Sequence, residues 1–183
     1  MIDIIVREIR QCLENDIFVP SLISALTLPD ICGRAQHPNW ESGRRYVAWY
    51  DENIYAPEVG GLPNITGTVA YSLRCSLLHL GNPQIALEKL DIQSFELVAQ
   101  PADDERQFGT QKSMECVIGG DGVPHFIKNR KISIGIRHFC HLLCDKAEKY
   151  YKEHKEKFIF FNYTIVDGET LDNILFDDGW EDE

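Results

Sequence analysis

The run Tyr71-Ser-Leu-Arg74-Cys-Ser-Leu-Leu-His79-Leu-Gly81 sets the hardest condition on this chain's fold. With about 100° of turn per helical residue, Val69, Leu73, Leu77 and Leu80 form one apolar stripe, and Tyr71, Cys75 and Leu78 form a second on the opposite side. A helix apolar on two faces is either sunk in a core or shared between the core and a partner. Arg74 and His79 stand about 140° apart on this wheel and bracket the second stripe. Neither has a packing reason to be there, since a cation or an imidazole is costly to desolvate without a partner. Thr66 or Thr68 opens the helix, and Gly81-Asn-Pro83 ends it.

Around this helix the spacing predicts a mainly α protein, a helical bundle with a small β hairpin inserted. Ile2, Ile5, Val6, Ile9 and Leu13 recur at helical intervals over residues 2–15. Pro20 suits a first helical turn, and Ser21 to Leu28 read as a short apolar helix that stops before Pro29. Residues 30–41 read as a loop, after which Ser42 caps a helix over Gly43 to Tyr55. Pro57 to Pro63 is a connector. Ile92 to Ala99 and Ser113 to Ile118 are strand-like, with Gly119-Gly-Asp-Gly122 as a turn. Ile132 to Lys157 is the longest helical pattern, and Phe158 to Val166 is a strand or a packed extension of it. The expected organisation is one helical domain over residues 1–166, with the β insertion near 92–122, and an acidic tail over 167–183.

Charge is distributed unevenly. The formal net charge is −11, but residues 167–183 hold eight of the 29 acids and no lysine or arginine, so the other 166 residues carry 18 basic and 21 acidic side chains. Such a tail reads as solvated. Lys128 to Lys157 runs the other way, with nine basic residues against four acids. That stretch is either a solvated helix face or a surface that attracts phosphates. Six cysteines are scattered without CxxC pairs, no secretory leader pattern opens the chain, and the apolar run Ile17 to Pro29 is too short to span a bilayer. A reduced, cytoplasmic protein without membrane attachment is the expectation.

A permanent cation beside a group that titrates near neutrality is the pairing that RNA phosphodiester cleavage needs. The segment LRCSLLHLG resembles the Arg-x4–6-His motif of the HEPN superfamily (higher eukaryotes and prokaryotes nucleotide-binding), whose helical-bundle members often read Leu-Arg-Asn-x-x-x-His-Gly. The stretches ALTLPDICG, GRRYVAWYDE and YSLRCSLLHLG are also similar to a widespread group of bacterial proteins to which no activity is attached. The HEPN resemblance implies a metal-independent endoribonuclease of toxin or antiviral-defence type, needing no cofactor. Arg74 would hold the scissile phosphate and His79 would act as general acid or base. The resemblance further implies RNA as ligand, a homodimer that assembles a composite site, and a partner protein that restrains it. Two departures stand out: Cys75 follows the arginine where active members carry Asn, Asp or His, and the glycine is displaced by one, as His79-Leu80-Gly81. The alternative is a non-catalytic nucleotide-binding or interaction module.

Other constellations have plainer readings. On the long helix Arg137, His138, His141, Lys149 and Lys152 face away from the core stripe and are candidates to track an RNA backbone. His138, His141 and Asp145 share a face that a divalent metal could use, but the nearby lysines disfavour a bound cation, and no metal site is expected. Cys75, His79, Cys140 and Cys144 read as core packing before they read as a zinc cluster. Trp40, Tyr46, Trp49 and Tyr50 read as core, with base stacking by an exposed subset as the other reading.

Overall fold

The computed structural model describes residues 1–55, 65–78, 92–102, 104, 110–118 and 124–163, with the backbone alone described over 110–118 and 124–130. It is mainly helical with a small sheet. Helix α1 (Ile2–Glu14) buries Ile2, Val6, Ile9 and Leu13, the face its spacing predicts. It stops at Asn15, where Asp16 takes a left-handed conformation at φ 56° that turns the chain. Helix α2 (Phe18–Ala25) has Pro20 in its first turn, where the missing N–H is no loss.

Of residues 30–41, expected as a loop, 30–36 are helical and only 37–41 form a turn. Helix α3 spans Leu28–Gln36, and Pro29 opens it instead of terminating its predecessor. The α3 backbone lies directly against α4 (Ser42–Tyr50): a Cβ on Gly33 would sit 2.6 Å from the Arg45 carbonyl oxygen, so only glycine allows this approach. The expected helix over Gly43 to Tyr55 divides. Its α-helical part ends at Tyr50, and Asp51–Tyr55 continues as one π-helical turn. Asp51 then accepts a 2.6 Å hydrogen bond from the Gly67 amide, which fixes the start of α5 (Gly67–Leu78). Thr66 Oγ1 accepts from Val69 N at 3.4 Å, a weak cap at the predicted position.

Strand β1 (Ser94–Val98) pairs parallel to β3 (Pro124–Gly135), and β2 (Thr110–Ile118) pairs antiparallel to β3 on its other side. The expected strands, Ile92 to Ala99 and Ser113 to Ile118, are β1 and β2, but they flank β3 and do not pair with each other as a hairpin; the expected turn at 119–122 lies outside the described residues. A strand at 124–131 was not anticipated. Nor was the length of β3, which takes residues 132–135 from the expected long helix, so that α6 spans Ile136–Glu153. Ile132 and Ile134 are buried, and Ser133 donates to Glu96 Oε2 at 2.7 Å across the parallel pair.

Helix α6 buries Ile136, Phe139, Cys140, Leu143, Cys144, Ala147 and Tyr150 against α1, α2 and α3. Aliphatic side chains buried this completely contribute roughly 1.5–3 kcal/mol each. Arg10 reaches Asp145 and Glu148, while Arg137 reaches Leu13 and Asp16, so α1 and α6 run antiparallel. After the turn Lys155–Lys157, Phe158 folds back onto Tyr150 and Tyr151 as a packed extension. No helix among the described residues is long and apolar enough to cross a membrane. The acidic stretch 167–183 lies outside the described residues.

Candidate functional site

Arg74 stands on α5 at the corner where α3, α4 and α5 meet. Helix α5 buries Val69, Ala70 and Leu73, while Tyr71 and Cys75 are half-buried and Leu78 is exposed. Of the first apolar stripe, Val69 and Leu73 are core and Leu77 packs against it, Leu80 lying outside the described residues; the second is a half-open face beside Arg74. His79 lies outside the described residues.

Asp30 organises the corner. Its Oδ1 accepts from Ser42 Oγ and from Arg45 Nε, both at 2.9 Å, and its Oδ2 accepts from Arg74 Nη2 at 3.4 Å. Arg45 also donates to the Trp40 carbonyl oxygen at 3.3 Å. One carboxylate thus faces two guanidinium groups and neutralises only one. The side chains of Arg74 and Asp30 are 16% and 19% exposed, so the surplus positive charge is held where water screens it poorly. Arg74 Nε is buried and has no hydrogen-bond partner among the described residues.

The surroundings are polar but constrained. The Tyr46 hydroxyl is wholly buried and without a partner among the described residues; burial pushes its ionisation well upward, and the neighbouring Tyr50 pushes the same way. The Tyr71 ring packs 5.2 Å from that of Tyr46, with its ionisation raised by burial and by Cys75 beside it. Gly43, in the first turn of α4, lies so close that a Cβ there would be 3.3 Å from the Tyr71 ring. The amino-terminal end of α4, the positive end of its dipole, therefore meets α5 beside the residue that opens the Arg-x4-His motif.

The α6 residues are placed differently from the expectation. Arg137 is consumed by the fold: its Nε donates to Gln100 O, Nη1 to Leu13 O and Nη2 to Asp16 Oδ1, at 3.0, 2.7 and 2.6 Å. A phosphate would have to break these bonds, so Arg137 is no candidate for RNA contact. Lys152 is paired with Glu148 at 2.9 Å, and Glu148 also binds Arg10. Those hydrogen bonds, from Lys152 first and then Arg10, hold the Glu148 carboxyl below its usual range. Lys149 is exposed and 3.9 Å from Glu153. His138 and His141 are half-buried, and His141 is pushed toward its neutral form by burial and then by Arg10, Arg137 and His138, against Asp145. Arg137 and Lys152 are thus committed to carboxylates within the fold, while the exposed Lys149 is the least closely paired of the three. No group of three or more His, Cys, Asp or Glu among the described residues is placed to hold a metal ion.

Asp30, Ser42 and Arg45 escaped the sequence reading as site residues because they sit 44, 32 and 29 positions from Arg74, Asp30 in the segment read as a loop and the other two at the start of the helix read after it. A helix recognised at 28–36 would have placed Asp30 in its first turn, but nothing in the sequence pairs it with α5.

Neither family models, nor curated proteins, nor solved structures provide a match to this chain.

Proposed function

We propose that this protein is a HEPN-like, metal-independent endoribonuclease, with Arg74 as the phosphate-holding residue and His79 as the proton-transfer residue. The observation that carries the reading is the charge imbalance at Asp30: two largely buried guanidinium groups share one carboxylate, and the buried Nε of Arg74 has no partner among the described residues. An oxyanion is the natural partner for that surplus, since a phosphate oxygen accepts from a guanidinium fork in a charge-assisted hydrogen bond. In the reaction, the ribose 2′-oxygen attacks the adjacent phosphorus and the bond to the 5′-oxygen breaks. An imidazole takes the 2′-hydroxyl proton or supplies one to the leaving oxygen. The half-open stripe of Tyr71, Cys75 and Leu78 is the surface on which a second copy would sit. An isologous contact there would bring two Arg74 side chains to one seam.

The test is cleavage of end-labelled RNA in EDTA by wild type, Arg74→Ala and His79→Ala. The reading expects cleavage that both variants lose. Equal cleavage by all three, or none by wild type across varied RNAs and salt, overturns it. Asp30 keeps Arg45 and Ser42 when Arg74 is removed, so the variant retains the corner's main bonds.

A second reading is favoured by a specific observation: Arg74 is five-sixths buried and already bonded to Asp30. On that reading the corner is structural, and the protein is a non-catalytic binding module, one component of a larger assembly. Its distinguishing result is an Arg74→Ala protein that melts well below wild type and shows no difference in RNA binding.

A further inference from the structure

The turn between α3 and α4 carries a stack of planar groups that the reaction above does not use. The His37 ring lies 3.8 Å from that of Trp40 with the planes 8° apart, and the Arg44 Cζ lies 3.9 Å from the Trp40 ring centroid. Two planar groups this near one ring cannot share a side, so the indole is sandwiched. Trp40 and His37 are half-buried, whereas Arg44 is exposed. Arg44, the exposed member, is therefore the open end of the stack.

We propose that the Arg44 guanidinium, carried on the Trp40–His37 stack, is a platform for one unpaired nucleobase, which makes single-stranded RNA the ligand class of this corner. The inference rests on the phosphate-holding reading of Arg74. Its geometry comes from the adjacent residue: Arg45 donates both to the Trp40 carbonyl oxygen and to Asp30, the carboxylate that also binds Arg74. The platform residue thus immediately precedes the one that shares Asp30 with Arg74, so the base would be held on α4 and the phosphate on α5. Every base has a π face that stacks on a guanidinium plane, and a duplex hides that face. The indole beneath restricts the Arg44 side chain in advance, so less side-chain freedom is lost when the base arrives.

The experiment measures binding without cleavage. A fluorescein-labelled 2′-O-methyl dodecamer, which lacks the attacking hydroxyl, is compared by anisotropy with an abasic dodecamer of the same backbone. Wild type should hold the base-bearing probe about tenfold tighter than the abasic one, the size of one stacking contact. Arg44→Lys keeps the charge and removes the plane, so it should abolish that preference while leaving abasic binding intact. Arg44→Ala should lose the preference and weaken both probes. Because Arg44 is exposed, neither variant disturbs the core, and thermal melting checks this. An unchanged preference in both variants overturns the platform, as does a loss in Arg44→Lys that is equal on the two probes. If wild type binds both probes alike, the platform falls and the phosphate reading stands. If it binds neither, both fall.

Discussion

Arg74 and Arg137 are two arginines of nearly equal burial, 16% and 11% exposed, used in opposite ways. Arg137 donates from all three nitrogens, closing two backbone carbonyls and a carboxylate into one joint between α1, α6 and the segment after β1. Arg74 makes one bond at 3.4 Å to a carboxylate that Arg45 holds more closely, and leaves Nε unpaired among the described residues. Burial alone therefore does not separate a structural arginine from one available to a ligand. The number of committed donors does.

The largest expected effect breaks the comparison on activity. Arg74→Ala should lower RNA cleavage by roughly 100-fold or more, the scale for removing one donor to a reacting oxyanion. Lys149→Ala, an exposed residue of α6 beside Glu153, should leave cleavage within about twofold of wild type. Initial rates with labelled RNA in EDTA check both.

Stability should rank the two arginines the other way. Arg137→Ala leaves Leu13 O and Gln100 O without that donor, a loss of about 2–3 kcal/mol, or roughly 5–10 °C in melting temperature for a chain of this size. Arg74→Ala should cost less than Arg137→Ala, because one 3.4 Å bond is lost and Asp30 retains Arg45 and Ser42. Calorimetry showing equal losses for the two would erase the distinction and return Arg74 to a structural role.

Between these falls Gly33→Ala. Its new Cβ meets the Arg45 carbonyl, so α3 and α4 must separate, at about 1–3 kcal/mol. Since α3 and α4 carry Asp30 and Arg45, the variant should also weaken binding of a 2′-O-methyl probe. A lower melting temperature with unaltered binding would detach the site from that helix contact.

The smallest effect is a pH dependence. His141 is held below its ordinary value of 6.5 by burial, so above 6.5 it is neutral in both folded and unfolded chains. As pH falls below 6.5 the unfolded chain takes up the proton more readily, and stability declines toward the folded value. His141→Gln should flatten this part of the profile, seen in denaturant midpoints at pH 5 and 7. An identical slope in the variant would remove His141 as its source.

Local periodicity alone placed α1, the helical character of α5, the core stripe of α6 and the strands β1 and β2; α1 and α6 are the clearest cases, since each buries one face in the core. It also singled out Arg74, through the cost of setting a cation among apolar neighbours. Periodicity misplaced α3, since a proline reads equally as the end of one helix or the first turn of the next. It extended α6 backward because Ile132, Ile134 and Ile136 satisfy both an alternating and a helical pattern until pairing with β1 and β2 decides between them. Which basic residues remain available was settled by the tertiary fold alone. Arg74, Arg137 and Lys152 are alike in sequence as charges on helices, and only the positions of Asp30, Asp16, Glu148 and two carbonyl oxygens make them different. Hydrogen-bond commitment depends on groups far away along the chain, and no local pattern encodes it.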